Sequence, residues 1–290
     1  MMVRRALFQE TTIDPGWVRR QVARFLVEDA PEGDTTTDAV VPENLTASAK
    51  IEAGEELVFA GALVVPNCFD KPCEVNLNVA DGQRVATGEV IGSVSGPARQ
   101  ILTRERVMLN LVQRLSGIAT LTRAFVDKVA PYGVKILDTR KTTPGLRRLE
   151  KYAVAAGGGI NHRLDLSSGI LVKDNHIKAA GGVAAAVEGL RRSRPQMPVE
   201  VEAENAAQVE AGLAAGVDAF LLDNMSVEQV RDCVALIRTH PGGEDIFVEA
   251  SGGIELSNVH EYARTGVDGI SIGALTHSAR SVDIRLELLP

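Results

Sequence analysis

The stretch "VEVEAENAAQVEAGLAAGVDAFLLDN" (199–224) decides the fold. An apolar run interleaved with glutamates leads into a segment in which Ala, Val and Leu recur at helical spacing. A second apolar run follows after a short polar joint. Two strands joined by a helix lie side by side in parallel, connected by a right-handed crossover.

The same texture extends in both directions. "VKIL", "GILV", "VEVE", "AFLL", "IFVEA" and "GISI" read as six strands between about residues 134 and 273. Helical segments such as "PGLRRLEKYAVAA", "HIKAAGGVAAAVEGLRR", "SVEQVRDCVALIRTH" and "LSNVHEYARTG" separate them. A full eight-stranded barrel takes about 250 residues. This half of the chain is too short for one, which leaves a reduced α/β barrel or an open doubly wound sheet.

The amino-terminal half differs. Asp14 and Pro15 start a helix in which Val18, Val22, Phe25 and Leu26 share a face. From Thr46 to about Pro97, short β-rich runs ("TASAKIEA", "ELVFAG", "CEVNLNV", "GEVIGSVSG") alternate with Gly, Pro and Asp turns and predict a small sheet. "ILTRERVMLNLVQRLSGIATLTRAFVDKV" returns to helical spacing, with Met108, Leu111, Val112, Leu115, Ile118, Ala119 and Phe125 on one side, as a bridge between domains.

Composition restricts the function. The 290 residues are 45% hydrophobic and 24% charged, as in a globular protein of about two domains. A net charge of -7 repels a long polyanion, so nucleic acid is not an expected partner, while a small anion in a local basic pocket is allowed. Cys68, Cys73 and Cys233 lack zinc-ligand spacing and read as buried free thiols in a reducing, cytoplasmic setting. The opening "MMVRRALFQETTIDPGW" lacks the apolar core of a signal peptide, and no stretch approaches the roughly 20 apolar residues of a membrane span.

Reactive groups gather at the carboxyl ends of the strands, where ligands bind in both candidate architectures. "VKIL" leads to Asp138, Thr139, Arg140 and Lys141, and "GILV" to Lys173, Asp174 and Asn175. "VEVE" ends in Glu202, "AFLL" in Asp223 and Asn224, "FVEA" in Ser251-Gly252-Gly253 and "GISI" in Gly273. Each also has a bland reading. One of Glu200 and Glu202 would be a solvated edge carboxylate, Asp223 a helix cap, and Ser251-Gly252-Gly253 a turn. In "LDTRKTTPGLR" (137–147) and just beyond, Arg148 and Lys151 read as a solvated helix face, and the role of Arg147 is open. In combination the functional reading prevails. The glycine loops suit a phosphosugar, the basic group Arg140, Lys141, His162, Arg163 and Lys173 suits further anions, and two carboxylates suit Mg²⁺ or a developing sugar cation.

"GDTTTD" (33–38), "ERVMLNLVQRLSGIAT" (105–120), "LDTRKTTPGLR", "GGGINHRLDLSSGILVKDNHI" (157–177), "VEVEAEN", "LLDN", "VEASGGI" and "ISIGALTH" occur in order along nearly the whole chain. Together they resemble the quinolinate phosphoribosyltransferases. The resemblance implies an α/β sandwich domain over residues 1–117, with the tail at about 275–290 packing back on it, and an incomplete, about six-stranded α/β barrel over 118–290. It implies transfer of phosphoribose from 5-phosphoribosyl 1-pyrophosphate (PRPP) to quinolinate with loss of CO₂, giving nicotinate mononucleotide for NAD biosynthesis.

The resemblance also implies Mg²⁺ as cofactor and a homodimer in which Arg106 reaches the neighbouring subunit's quinolinate. Thr139, Arg140, His162, Arg163 and Lys173 fall in the implied quinolinate pocket. Lys141 serves both substrate and pyrophosphate, Glu202 and Asp223 face ribose and metal, and Ser251-Gly252-Gly253 and Ile272-Gly273-Ala274 cradle the 5-phosphate. Ser167-Ser168 stands where the family often has an aromatic-Asp pair, which bears on support of the pocket. Two rival functions fit less of the sequence. One is a phosphosugar aldolase or isomerase with Lys141 or Lys173 as Schiff-base nucleophile; the other is a paralog associated with molybdate transport.

Overall fold

The computed structural model describes Phe8 and residues 12–289; the basic opening stretch lies outside them. Among the described residues two compact units form: Phe8, 124–147 and 159–277 make one, and 12–123, 148–158 and 278–289 make the other.

In the second unit, helix α1 (Pro15–Asp29) begins where the Asp14 carboxylate accepts from the Trp17 N–H and Pro15 takes the first position. A short α2 (Thr35–Val40) is capped the same way by Asp34. Strands β1 (Thr46–Ala53), β3 (Glu74–Leu77) and β5 (Val90–Pro97) join the carboxyl-terminal β12 (Ile284–Leu288) in a sheet of order β12-β1-β5-β3, while β2 (Leu57–Val58) pairs with β4 (Arg84–Val85). All of these pairings are antiparallel. Ala49, Ile51 and Ala53 alternate inward from β1 and are buried, as a sheet with one covered face requires.

The 32-residue helix α3 (Ala98–Val129) carries the chain from this unit into the other. Its Gly117 lies against the Arg280 carbonyl; a Cβ there would come within 1.9 Å of that oxygen.

Helix α4 (Arg147–Ala156) overturns one expectation. Lys151, assigned above to a solvated face, is fully buried. So is Glu150, whose carboxylate receives two guanidinium N–H groups of Arg114, at 2.9 and 3.3 Å. Helical spacing groups residues into faces but does not say which face is covered. The expectation holds for Arg148, whose exposed guanidinium lies 5.5 Å from the Trp17 ring centroid.

The first unit holds a six-stranded parallel sheet in the order β6-β11-β10-β9-β8-β7. The strands are β6 (Lys135–Leu137), β7 (Ile170–Val172), β8 (Val199–Ala203), β9 (Ala219–Asp223), β10 (Phe247–Ser251) and β11 (Gly269–Ser271). They alternate with α5 (Asp174–Ala180), α6 (Val183–Ser193), α7 (Ala206–Ala214), α8 (Val227–Thr239), α9 (Val259–Ala263) and α10 (Ala274–His277). The segment read as one helix from His176 to Arg192 is two, because Gly181 and Gly182 both take positive φ.

The barrel is incomplete because β6 and β7 end the order; Ile160 bridges to Leu137 at the β6 edge. Its amino-terminal end is apolar: Phe8 meets the Phe247 ring edge-on, with centroids 4.9 Å apart.

Gly117→Ala should lower stability by about 2 kcal/mol or more, because the carbonyl it meets is backbone and cannot swing away. Urea denaturation followed by far-UV circular dichroism checks this; an unchanged midpoint would show that the two segments separate freely.

Candidate active site

Side chains of a parallel strand alternate between the helix layer and the barrel interior. In β8 this sends Val199, Val201 and Ala203 outward and both Glu200 and Glu202 inward. Neither glutamate is the solvated edge residue expected above: they are 1% and 8% exposed, since β8 has neighbours on both sides. Glu249 of β10 is likewise buried.

These carboxylates stand in layers. Deeper in, the imidazole Nε2 of His162 lies 3.1 Å from Glu200 Oε2 and 3.6 Å from Glu249 Oε1, and the Ser271 hydroxyl donates to the same Glu249 oxygen at 2.9 Å. Burial opposes a charge on His162, but Glu249 and then Glu200 outweigh it and push the imidazole up to about 10. The Arg163 N–H approaches Nδ1 at 2.8 Å, a contact that the neutral ring accepts and a second proton displaces. Glu200 is raised by burial and by the Glu249 charge.

Above this layer a cavity of about 350 Å³ opens at the carboxyl ends of the strands. Asp138, Thr139, Arg140 and Lys141 enter it from the end of β6, His162 and Arg163 from the loop before β7, and Lys173 from the end of β7. Glu202, Asp223 and Ser251 face it from β8, β9 and β10. The residues predicted at the mouth therefore converge. Gly252, Gly253, Ile272 and Gly273 lie in the loops that leave β10 and β11, and Ala274 begins α10.

Asp138, named at its strand end but given no role from the sequence, sets the geometry of the basic side. Fully buried, it accepts the His162 N–H at 2.8 Å on one oxygen and the Asn161 amide at 2.8 Å on the other. Arg163 donates to the Gly169 carbonyl at 2.9 Å, and its proton affinity is lowered by burial and by the Arg140 charge. The Arg140 Nε is buried with no hydrogen-bond partner. Two like charges held together with an unsatisfied donor make a site that gains by taking an anion.

Lys173 pairs with Glu202 at 2.5 Å. Gly273 gives Lys141 its place: a Cβ there would lie 3.0 Å from Lys141 Cδ. The Thr276 hydroxyl also donates to the Lys141 carbonyl at 2.7 Å. Asp223 accepts the Asn224 amide at 2.9 Å. Arg147 turns to Thr142 at 2.9 Å and does not line the cavity. Ser167 and Ser168 bond locally around Asp165 and tie the loop to itself. Arg106, on α3 of the other unit, is exposed and borders a surface hollow with Asp34, Thr35 and Thr36.

Glu200 and Glu249 are the residues that sequence reasoning missed as part of the site, while Asp138 was placed at the mouth without a role. For the two glutamates the available signal was a carboxylate at alternate positions inside an otherwise apolar strand, in "VEVEA" and "FVEAS".

The chain matches the quinolinate phosphoribosyl transferase N-terminal domain over residues 34–116 and the C-terminal domain over 118–287. It is 43% identical over 275 residues to a probable nicotinate-nucleotide pyrophosphorylase (carboxylating) of Bacillus subtilis, covering 93% of each chain. With the nicotinate-nucleotide pyrophosphorylase (carboxylating) of Mycobacterium leprae it shares 44% identity over 276 residues, 93% of this chain and 96% of that one. The solved nicotinate-nucleotide pyrophosphorylase of Francisella tularensis superposes with a TM-score of 0.90 at 36% identity, covering 96% of this chain and 98% of that one.

The His162 ring should not titrate between about pH 6 and 8. In Glu249→Gln, with one of the two carboxylate charges removed, its titration should move down toward that range. Proton NMR of the histidine ring signals checks both; a wild-type His162 midpoint near the ordinary histidine value would disprove the pairing.

Proposed function

The chain belongs to the quinolinate phosphoribosyltransferase family, and from that premise we propose how its residues join quinolinate to phosphoribose with loss of CO₂ in NAD biosynthesis. The observation that carries the reading is a cavity with cations on one side, from the ends of β6 and β7, and carboxylates on the other, from β8 and β9.

The donor is PRPP. Its 5-phosphate lies at the loops Ser251-Gly252-Gly253 and Ile272-Gly273-Ala274, where turns can present backbone N–H groups. The quinolinate carboxylates meet Arg140, Arg163 and Lys173 beside Thr139, with His162 as the held post behind them. Lys141 faces quinolinate and the departing pyrophosphate. Glu202 and Asp223 take the ribose hydroxyls and the positive charge that develops at the sugar carbon.

Those two carboxylates are hard oxygen donors at neighbouring strand ends, and they fit Mg²⁺ bound jointly with substrate oxygens. Such an ion supplies neutralisation of the pyrophosphate charge as it leaves.

Chemistry then follows from placement. The pyridine nitrogen forms a bond to the anomeric carbon as the bond to pyrophosphate breaks. The nitrogen is now quaternary. The bond from C2 to its carboxylate breaks, CO₂ departs, the electron pair stays on C2 next to the positive nitrogen, and a proton from solvent replaces the carboxylate. Arg140 and Arg163 hold the ring during both steps.

The proposal includes a homodimer in which Arg106 completes the partner's quinolinate pocket, supported by the exposure of Arg106 on α3. It also includes a cytoplasmic location, which the three free, buried cysteines favour. The rival aldolase or isomerase and the transport-associated paralog find no support in the names of the relatives, and the Lys173 amine is occupied by its contact with Glu202.

Purified protein should form nicotinate mononucleotide from quinolinate and PRPP, lose activity on chelation and regain it with Mg²⁺. Product from nicotinate in place of quinolinate would overturn the specificity. Arg106→Ala and Lys173→Ala should each lower kcat/KM for quinolinate on the order of 100-fold while the dimer stays folded. Mixed Arg106→Ala and Glu202→Ala subunits should recover part of the activity; no recovery despite proven subunit exchange would rule out the shared site.

A further inference from the structure

Asn224 is the only non-glycine among the described residues with a positive φ, at 54°. Asparagine tolerates this left-handed conformation better than most residues, but glycine takes it more freely. An asparagine there is accounted for by what its side chain does.

That side chain donates its amide N–H to Asp223 Oδ2 at 2.9 Å. Its backbone N–H donates to the Ser251 carbonyl at 2.9 Å, extending the parallel register in which Asp223 stands opposite Ser251. Its amide oxygen fills the space above Gly252: a Cβ on that glycine would lie 2.2 Å from Asn224 Oδ1 and 2.7 Å from its nitrogen. The next residue is fixed too, since the Tyr262 hydroxyl donates to the Met225 carbonyl at 3.0 Å.

From these contacts we infer that Asn224 is a positioning residue that ties the Asp223 carboxylate to the loop Ser251-Gly252-Gly253, so that the two groups facing the phosphoribosyl donor are set as one piece. The inference rests on the reading of Asp223 as the ribose carboxylate and of this loop as the seat of the 5-phosphate. The left-handed turn makes the tie possible by letting one residue point its backbone N–H at β10 and its amide at the end of β9. A hydrogen bond to a charged acceptor restricts the carboxylate more than a neutral one would. The Gly252 contact restricts the loop from the other side.

Two variants test this. Asn224→Gly keeps the backbone conformation and removes the amide. Asn224→Asp keeps the shape and the tolerance for positive φ but exchanges the donor for a carboxylate beside Asp223. Both should melt within about 3 °C of the unaltered chain. Asn224→Gly should raise KM for PRPP about tenfold and leave KM for quinolinate within roughly twofold, and Asn224→Asp should raise the PRPP value further.

A folded Asn224→Gly with unchanged KM for PRPP, or with both KM values raised alike, overturns the assignment. Loss of folding in both variants overturns it as well, placing Asn224 in the fold. If the unaltered chain does not use quinolinate and PRPP, the reading of the site fails; if it does and the split in KM is missing, only the role of Asn224 fails.

Discussion

Charge buried inside a parallel barrel has to be answered from within the barrel. An isolated carboxylate in such a space costs several kcal/mol, so each one present needs a partner with good geometry. Glu200 and Glu249 find theirs in His162, Asp138 in the His162 N–H and the Asn161 amide, and Glu202 in Lys173. Removing one member leaves another uncompensated, so these pairs act as a set. They fix the segment 161–163 and with it Arg163, one of the four Arg and Lys residues that line the cavity.

The same arrangement explains how an acidic protein holds an anion. With a net charge of -7, the chain's long-range field repels anions, so attraction must be local. Arg140 and Lys141 come from the end of β6, Arg163 from the loop before β7 and Lys173 from the end of β7, and carboxylates that offset them, Asp138, Glu202, Asp223 and Glu249, line the same cavity. Burial and the Arg140 charge lower the proton affinity of Arg163, and an arriving anion relieves the repulsion between the two guanidiniums. The site is thus preorganised for anions while the barrel interior stays balanced.

Much of this was legible beforehand. The strand-helix alternation from "VKIL" to "GISI" predicted the six parallel strands, and the groups after each run proved to share one mouth. What escaped was any residue whose meaning depends on which side of an element is covered. Glu200 looked like a partner for solvent because alternation alone does not distinguish an edge strand from a central one. Lys151 looked like a surface lysine because a helix period names faces and not their neighbours. Glu249 sat inside a strand and was read through to Ser251. Asp138 was seen at a strand end, but its two acceptor contacts involve residues more than 20 positions away.

By itself the sequence determined the order of strands and helices, the parallel pairing of the second half, the family, and the cluster of cations and carboxylates at the strand ends. These follow from local periodicity and from the rule that ligands bind beyond the carboxyl ends of parallel strands. Periodicity left a reduced barrel and an open sheet both open and the family resemblance implied the barrel; only the tertiary structure decided the layering of Glu200 and Glu249 beneath Glu202, the burial of Lys151 and the left-handed turn at Asn224. Each of these depends on contacts between residues far apart in the chain, and periodicity within one element does not encode what packs against it.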